Sequence, residues 1–452
     1  MLRFVCTRAA SLILGAAFSI CALGQCAWAS SVVVGGTCRN LPSYPNIQTA
    51  VNSVPSGSTI FVCPGNYPEQ ILINKSLTIT GLSANGNSGT LASGLSNPVI
   101  TSPSGGITAN LTDIAGGDPV YYQIAAVSPN PASPITVKIN SIAVDGSNNQ
   151  ISGCGMDLVG IYYQNAWGTI NYVVTRYQEL APDLFGCQDG LAIFVESGYG
   201  TGGTANVTIE NSSVHDYDKN GITVDGTGTV ATVSANFVVG IGATSLIAQN
   251  GIQVSDGARG SVKSNTITDD VYINPPDCGT ACYGSSGILI YDSGATSGSH
   301  LAVSENTVGN TQLPVVAYAD TNGDADYIDV TSNKITTAPA SGTYLDDGID
   351  LCGNYDTATS NTIFNTSGSG VHIDSSCTEA SGQSGNNTAV NKNIINEACA
   401  GVLLGTGTGD TVGTAGANSF FNVVETTQSG NSCPVGSPSR PKGKLKALPR
   451  RP

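Results

Sequence analysis

The chain has 452 residues, of which 56 are glycine and only 11% are charged. Abundant glycine, serine, threonine and asparagine with few charges favour short strands and tight turns over helices. Residues 30–436 contain nine basic and 32 acidic residues. This balance argues against a nucleic-acid partner and, unless bound calcium inverts the local field, against a polyanionic glycan.

The first 29 residues have the pattern of a secretory signal. Arg3 and Arg8 precede an apolar run over residues 9–23, and Ala27-Trp28-Ala29 supplies the small residues of a cleavage site. We expect cleavage after Ala29. No later apolar run reaches the roughly 20 residues that a membrane span needs. The sequence therefore predicts a secreted, periplasmic or cell-surface protein without a transmembrane segment, and we expect a monomer.

Ten cysteines remain once the predicted signal is removed, an even number that favours disulfides in an oxidising compartment. The spacing of Cys278 and Cys282 also occurs in zinc sites, but no second close pair or histidine lies near them, so we expect a disulfide there. Spacing leaves the connectivity open. Nearest-neighbour pairing predicts the bonds Cys38–Cys63, Cys154–Cys187, Cys278–Cys282, Cys352–Cys377 and Cys399–Cys433.

Residues 38–82 predict one short helix followed by three strands. Ile47, Ala50, Val51 and Val54 share one helical face, and β-rich runs follow at residues 59–62, 70–73 and 77–80. Further strands are expected at residues 98–101 and 120–127, within an irregular stretch from 83 to 135. A helix placed before a solenoid would cover its open apolar end.

This segment resembles the N-terminal cap and first coils of secreted right-handed parallel β-helix proteins of the pectate lyase-like group. The matching motifs are Ile-Gln-x-Ala-Val from Ile47, a turn ending in Pro-Gly-x-Tyr at Tyr67, and a strand pair over residues 73–81. The resemblance implies an all-β, right-handed parallel β-helix with an N-terminal capping helix. Over the rest of the chain it depends on the coil pattern alone.

A repeated pattern supports stacked coils after residue 135. Glycines, or one proline, start short apolar runs at intervals of 22 to 36 residues, a spacing typical of a solenoid. Asparagines beside apolar residues accompany the runs, and we expect them to stack in a buried turn and bond backbone groups from coil to coil. The run starts are Gly160, Gly190, Gly221, Gly251, Gly287, Pro314, Gly348, Gly370 and Gly401, and the asparagines are Asn211, Asn236, Asn265, Asn306, Asn333, Asn361 and Asn393.

The domain boundaries follow from these patterns. Residues 30–436 are predicted to form the β-helix. Residues 437–452 are basic, rich in proline and without apolar periodicity, so we expect a disordered tail. An electrostatic tether to an anionic cell surface is the alternative for this tail.

Strand alternation divides each coil into core and outward side chains. In the run from Gly221, Ile222 and Val224 point inward, whereas Thr223 and Asp225 point outward. The same register in other coils predicts an exposed row that would bind an extended polymer such as a polysaccharide. Within this row we expect Asp225, Asp256, Tyr291 and Asp292 to contact substrate.

The densest group of ionisable residues lies at residues 346–374. Asp350 and His372 share one outward register 22 residues apart, Asp374 follows His372, and Asp346 with Asp347 precede the Asp350 strand. These five residues are the candidate catalytic set, because carboxylates near an imidazole supply an acid, a base and a positioning group. Carboxylates with one histidine equally suit a divalent cation, so calcium stays an open alternative and no cofactor is assigned.

The group is similar to the Asp, Asp-Asp and His arrangement of the polygalacturonase family, another β-helix family. Asp346 and Asp347 would be the pair, His372 the histidine, and Asp320 or Asp324 the upstream residue. The chain departs from that pattern, since His372 lies in Gly-Val-His-Ile rather than Gly-His-Gly and no Arg-Ile-Lys follows. The resemblance implies glycoside hydrolysis, for which an inverting enzyme needs carboxyls about 6.5–9.5 Å apart.

Two other carbohydrate chemistries have weaker support. Gln188-Asp189 is reminiscent of the Gln-Asp dipeptide of pectin methylesterases, but the other motifs of that family are absent. Arg176, Lys219, Arg259 and Lys263, the candidate bases of a lyase, form no recognisable motif. Aromatic residues offering sugar-stacking faces or core packing are Tyr162, Tyr163, Trp167, Tyr172 and Tyr177.

The sequence thus leaves two functional interpretations. In the first, an exported β-helix protein binds a polysaccharide along its exposed sheet and cleaves or modifies it, with hydrolysis favoured over lyase or esterase chemistry. In the second, it is a non-catalytic structural or carbohydrate-binding protein. Fold alone does not choose between them.

Overall fold

Three parallel ladders of short strands wind the chain into a solenoid, as a computed structural model shows. The structure describes residues 29–84, 88–89, 97–275, 282–321, 323–337, 346–377, 379–380, 382, 384–430 and 443–445. We call the three ladders sheets A, B and C. In each complete coil the chain passes through one strand of sheet A, then one of sheet B, then one of sheet C. Each strand pairs in parallel register with the equivalent strand of the next coil. The predicted all-β parallel β-helix is confirmed.

The strand bounds follow this order. Sheet A contains β1 (Ser31–Val34), β2 (Ser43–Tyr44), β3 (Ser58–Val62), β6 (Leu77–Gly81), β10 (Thr136–Asn140), β13 (Trp167–Asn171), β16 (Ala205–Glu210), β19 (Thr229–Ser234), β22 (Arg259–Lys263), β26 (Leu301–Ser304), β29 (Ile328–Thr331), β32 (Thr357–Thr359), β35 (Ala389–Asn391) and β37 (Thr411–Val412). Sheet B contains β4 (Gly65–Pro68), β7 (Pro98–Thr101), β11 (Ala143–Asp145), β14 (Val174–Arg176), β17 (Ser213–His215), β20 (Phe237–Thr244), β23 (Thr266–Tyr272), β27 (Thr307–Thr311), β30 (Lys334–Thr337) and β33 (Thr362–Phe364). Sheet C contains β5 (Ile71–Ile73), β9 (Pro119–Val127), β12 (Asp157–Gln164), β15 (Leu191–Glu196), β18 (Asn220–Asp225), β21 (Asn250–Ser255), β25 (Ser286–Tyr291), β28 (Leu313–Tyr318), β31 (Ile349–Leu351) and β34 (Ser369–Ile373).

The remaining elements join or flank these sheets. Long strands β36 (Ile394–Leu404) and β38 (Ser419–Ser429) run through both sheet B and sheet C, and β8 (Leu111–Thr112) pairs antiparallel with β9. Helix α1 spans Ile47–Ser53, and a 3₁₀ helix spans Pro182–Cys187. The helix and the five N-terminal strands expected from the sequence are all present.

Two predicted terminal segments lie mostly outside the described residues. The proposed signal falls at residues 1–29, of which only Ala29 is described. Within the tail predicted to be disordered, β39 (Gly443–Leu445) pairs in parallel with β24 (Cys282–Gly284), so these three residues differ from the expectation. Disorder in the rest of the tail stays a prediction.

The apolar core runs along the inside of all coils. Inward residues such as Ile222 and Val224 are fully or almost fully buried in one continuous cluster. The repeated glycines exist because the coils approach too closely for a Cβ at the start of each sheet C strand. A Cβ on Gly251 would lie 2.6 Å from Ile267 Cγ2 and 2.8 Å from the carbonyl oxygen of Gly287.

An asparagine ladder occupies the corner between sheets A and B. Each side-chain Nδ2 donates to the Oδ1 of the next asparagine at 3.0 Å and to a core-strand carbonyl, while each Oδ1 also accepts a backbone N–H. Every polar atom of an internal asparagine is thereby paired within the buried turn. The ladder residues are Asn236, Asn265, Asn306, Asn333, Asn361, Asn393 and Asn418.

The expected asparagine stack is therefore confirmed with one correction at each end. Asn211 does not belong to it: it has a φ of 51° and bonds Asn171 Oδ1 instead. Ser212 takes the ladder position in that coil, since its backbone N–H donates to Asn236 Oδ1. Asn418, which the sequence did not single out, ends the ladder.

Three predicted disulfides are present, joining Cys38 to Cys63, Cys154 to Cys187 and Cys352 to Cys377. Cys399 is also disulfide-bonded, but its predicted partner Cys433 lies outside the described residues. Cys278 lies outside them as well, so its pairing with Cys282 stays a prediction.

Candidate functional site

Most outward side chains of sheet C from β18 to β34 are buried, contrary to the expectation of an exposed row. Thr223, Gln253 and Leu289 have no exposed area, and Asp225 keeps only 5% of its own. Alternation along a strand fixes the side on which a residue lies, not what covers it. Tyr199, from the turn after β15, folds over this face and its hydroxyl donates to Asp225 Oδ2 at 2.5 Å.

The four predicted substrate-binding residues are spread along the solenoid. Asp225 accepts hydrogen bonds from Tyr199 and Ser255 and is four coils, about 19 Å, from the Asp350 strand. Asp256 and Asp292 are buried at the ends of their strands. Tyr291 is half-buried and is the most accessible of the four.

The structure does bring most of the candidate catalytic residues together. Asp350 and His372 are direct partners in the β31–β34 register. His372 Nδ1 lies 3.3 Å from Asp347 Oδ2 and 3.5 Å from Asp350 Oδ1, and its Nε2 lies 4.0 Å from Asp374 Oδ1. We call Asp347, Asp350, His372 and Asp374 the His372 cluster. The cluster has both ring nitrogens facing carboxylates.

The four side chains of the His372 cluster differ in their exposure to solvent. The side chains of His372 and Asp347 are 1% and 0% exposed, whereas those of Asp350 and Asp374 are 9% and 12% exposed. The two latter carboxylates therefore form the least buried edge of the cluster. Asp346 is buried beside the cluster, and its backbone N–H donates to Ser367 Oγ at 2.9 Å.

Asp347 is held by its neighbour coil. Its Oδ1 accepts from the backbone N–H and from the hydroxyl of Ser369, at 2.6 and 2.8 Å. These two bonds fix the carboxylate so that Oδ2 points towards His372. Ser369 was not expected from the sequence, although its position two residues before Val371 places it at the start of the β34 strand.

The carboxylates determine the charge of His372. Burial lowers the pKa of this imidazole, but Asp350, Asp347 and Asp374 outweigh burial and raise the pKa to about 9. Without another ligand, His372 is therefore an imidazolium at neutral pH. Elsewhere in the described residues, His215 and His300 each contact one carboxylate, Asp216 and Asp329, in partly exposed positions.

A tyrosine pair lies next to this cluster on the same face. Tyr291 and Tyr318 are both half-buried and stack with ring centroids 6.0 Å apart and an interplanar angle of 14°. Tyr291 donates to Asp320 Oδ2 at 3.0 Å. Burial, then the carboxylates of Asp374, Asp320, Asp292 and Asp350, raise the pKa of Tyr318.

The sequence analysis missed Tyr318. Its coil starts with Pro314 rather than glycine, yet Tyr318 pairs directly with Tyr291 in the β25–β28 register. The outward register of the glycine-started coils, counted from Pro314, predicts Tyr318 as an outward residue. Asp320, one of two candidates for the upstream polygalacturonase-like aspartate, is the one joined to this tyrosine pair.

A second buried acidic group lies nearer the N-terminus, around Glu196 of β15. Glu196 Oε1 accepts from the hydroxyl of Tyr162 and from the backbone N–H of Ile114. Burial raises the pKa of Glu196 to about 7 against these bonds, which lower it. Asp157 is close by, and burial followed by repulsion from Asp113, Asp189 and Glu196 raises its pKa well above the ordinary value.

Two sets of side chains place metal-ligating atoms close together. Asp347, Asp350 and His372 each offer an atom within 4.8 Å of the others. Cys352, Asp374 and Cys377 do so as well, but their two sulfurs form a disulfide and are not thiolate ligands. The first set is therefore the candidate cation site among the described residues.

The residues considered for lyase and esterase chemistry lie elsewhere. Arg176 pairs with Asp145 at 2.8 Å on sheet B, and Lys219 is buried with its Nζ bonded to the carbonyl of Ala248. Arg259 and Lys263 belong to sheet A. Asp189 is buried near Asp157.

The five aromatic residues considered earlier divide by burial. Tyr162 and Tyr163 are fully buried, so they act in packing. Trp167 and Tyr177 are each 43% exposed, and Tyr172 is half-buried. None of these five is a neighbour of the His372 cluster in the strand register, since their coils precede β31 by several turns.

No helix in the described part of the chain is long and apolar enough to cross a membrane. No protein-family model matches the sequence. No curated protein matches it either.

Several solved structures are distantly similar to this chain. The A-module of mannuronan C-5 epimerase AlgE4 from Azotobacter vinelandii is 14% identical, with 84% of this chain and 90% of that chain covered and a TM-score of 0.49. A family 28 exopolygalacturonase from Yersinia enterocolitica is 13% identical, with coverages of 84% and 74% and a TM-score of 0.44. A GH136 lacto-N-biosidase from Eubacterium ramulus is 11% identical, with coverages of 89% and 68% and a TM-score of 0.47. These similarities are too distant to assign an activity to this chain.

Proposed function

We propose that the protein binds a neutral polysaccharide on the outer side of sheet C, between Tyr291 and Asp374, and hydrolyses it at the His372 cluster. The observation that carries the proposal is the half-buried Tyr291–Tyr318 stack beside Asp350 and Asp374, the least buried carboxylates of the His372 cluster. Tyrosines bind sugar rings through their apolar faces and hydroxyls, and carboxyl pairs perform glycoside hydrolysis.

The local charge favours a neutral glycan. Burial raises the pKa of Tyr318, and so do Asp374, Asp320, Asp292 and Asp350, which places four carboxylates around the tyrosine. A polyuronate would be repelled by them unless a bridging cation intervened. The positions of Arg176, Lys219, Arg259 and Lys263 away from the cluster also favour hydrolysis over a lyase reaction, which needs a basic residue beside the substrate.

A panel of neutral polysaccharides and polyuronates, each incubated with and without calcium, tests this function through the release of reducing ends. We expect release from a neutral glycan, reduced at least about 100-fold by Asp374→Asn. Asp329→Asn is the matched control, because Asp329 also contacts a histidine but lies on sheet A. Equal release by wild type and Asp374→Asn would refute the site assignment.

A non-catalytic carbohydrate-binding role is the second candidate. The burial of His372 favours it, since a group 1% exposed has little direct access to substrate. In this case affinity electrophoresis would show glycan binding that Tyr318→Ala weakens, and no reducing ends would appear. Tyr355→Ala is the control for that variant, because Tyr355 is an exposed stacking tyrosine on another face.

The finer architectural expectations belong to the same proposal. We propose that the solenoid is right-handed, as parallel crossovers almost always are, and that α1 caps its N-terminal end. Ile47, Ala50 and Val51 of the helix join the core cluster, and Glu69 accepts the N–H groups of Ile47 and Gln48, which supports the capping role. Export accords with the three disulfides, and we propose that the exported protein is a monomer.

A further inference from the structure

The separations within the His372 cluster are unlike those of an optimised hydrogen-bonded group. His372 Nδ1 stands 3.3 Å from Asp347 Oδ2 and 3.5 Å from Asp350 Oδ1. An imidazole N–H donating to a carboxylate normally has a separation of about 2.7–2.9 Å. One ring nitrogen thus faces two carboxylate oxygens at once, and both are beyond the usual distance.

These distances match the edges of a metal coordination shell. Ligand atoms about 2.0–2.2 Å from a tetrahedral ion are separated from one another by roughly 3.3–3.5 Å. The two measured separations fall at this value, and all three ligand atoms lie within 4.8 Å of one another. The three side chains therefore need little rearrangement to surround one ion.

The surroundings also have the features of a built metal site. Asp347 is oriented by the N–H and hydroxyl of Ser369, as ligating carboxylates commonly are. His372 Nε2 lies 4.0 Å from Asp374 Oδ1, too far for a hydrogen bond between these two atoms, so Asp374 contributes negative charge on the other side of the ring. The register pairing of Asp350 with His372 supplies two ligands from rigid neighbouring strands.

We propose that Asp347 Oδ2, Asp350 Oδ1 and His372 Nδ1 bind one divalent transition-metal ion, with Zn²⁺ preferred and Mn²⁺ as the alternative occupant. One imidazole nitrogen with two carboxylate oxygens suits these ions better than Ca²⁺, which selects oxygen ligands alone. Three protein ligands leave a fourth position for water or substrate, as in catalytic zinc sites. This proposal does not depend on the identity of any glycan, and with the ion bound Asp350 is a metal ligand rather than one of the two hydrolytic carboxyls.

Metal uptake by the purified full chain, stripped with EDTA and dialysed against ZnCl₂ or MnCl₂ without glycan, tests the site directly. Elemental analysis should find one ion per chain, calorimetry should give a single binding event, and the melting temperature should rise because the ion binds only the folded state. Asp350→Asn should weaken binding at least about 10-fold. A thiol assay on the same sample excludes free cysteines as zinc ligands.

The chain offers matched controls. His300 and Asp329 form a partly exposed histidine–carboxylate pair at 3.0 Å without a third ligand, so His300→Asn and Asp329→Asn should leave uptake unchanged. Ser369→Ala retains all three ligands and should weaken uptake several-fold with an unchanged circular dichroism spectrum. No uptake by wild type, or equal uptake by wild type and a folded Asp350→Asn, would overturn the proposal, whatever the glycan assay shows.

Discussion

The asparagine ladder and the outer face of sheet C are both stacks of polar side chains at equal register, but they differ in chemistry. In the ladder, each amide donates to the next coil and accepts from the previous one, so the stack is complete by itself. On sheet C, ionisable side chains meet in two separate rows: Glu196 pairs with Asp225, where two carboxyls face each other, and Asp350 pairs with His372. The stack of neutral asparagines stabilises the fold. Buried ionisable side chains on sheet C destabilise it, which indicates that they have a functional role.

Breaking the ladder should give the largest loss of stability. Asn306→Ala removes the acceptor of the Asn265 N–H and Nδ2 and the donor to the Val262 carbonyl, all buried. We expect a loss of about 3–5 kcal/mol, because each buried polar group left unpaired costs about 1–3 kcal/mol. Denaturant melts measure it, with the exposed Asn206→Ala as control; equal midpoints would show that the ladder is dispensable.

The ionisable face should make stability depend on pH. The folded pKa of Glu196 is raised to about 7 from 4.5, so between these values the folded state holds a proton that the unfolded chain releases. Stability should therefore be highest in acid and fall as the pH rises from about 4.5 to 7, by on the order of 3 kcal/mol. Asp157 and Asp225 act with the same sign.

Melting temperatures across this pH range provide the measurement. Glu196→Gln should flatten the decline, while Glu210→Gln on sheet A should retain it. A wild type more stable at pH 8 than at pH 5 would contradict the assignment of buried, protonated carboxyls to this face.

A smaller loss of stability is expected from filling the space where the backbones of neighbouring coils approach closely at Gly251. Gly251→Ala puts a Cβ 2.6 Å from Ile267 Cγ2 and 2.8 Å from the Gly287 carbonyl. We expect a loss of about 1–3 kcal/mol from overpacking. Gly309→Ala is the control, since a Cβ there meets nothing within 4 Å; similar melts for the two variants would place the coils further apart than described.

The smallest effect should come from neutralising a carboxyl on sheet C. Burial, then Asp256, raise the pKa of Asp225 well above its ordinary value, which favours the uncharged carboxyl that an asparagine resembles. Asp225→Asn should change stability by less than about 1 kcal/mol. Asn306→Asp, the opposite exchange in the ladder, should destabilise strongly because a carboxylate cannot donate. Comparable losses from both exchanges would erase the contrast between the two stacks.

The fold was largely predictable because its cause is periodic. The glycines from Gly221 to Gly401 and the asparagines from Asn236 to Asn393 recur once per coil, since each repeats the same local packing. The prediction that Asn211 belongs to the ladder was wrong because this residue lies one position before it. Ser212 occupies the ladder position and donates its backbone N–H to Asn236. Neighbouring coils also explain why three nearest-neighbour disulfides were correct.

The candidate site was predictable only in part. The equal spacing of Asp350 and His372 from their run-starting glycines indicated that they are adjacent, and the register confirms it. The burial of the outer face of sheet C depends on turns such as the one that contains Tyr199. The path of such a turn does not repeat from coil to coil, so it could not be predicted from the sequence pattern. Pro314 was recognised as a run start, but the outward register was not applied to its coil, so Tyr318 was missed. The roles of the candidate catalytic and substrate-binding residues stay predictions.

The parallel register also fixes the distance between coils along the solenoid axis. Each additional turn shifts everything beyond it by one fixed step of about 4.8 Å along the axis, while leaving both flanks internally unchanged. Inserting a copy of one turn between β28 and β31 would therefore move Tyr318 away from Asp350 by a known increment. Such insertions would measure, in whole coil steps, how the proposed glycan binding depends on the distance between the tyrosine pair and the His372 cluster.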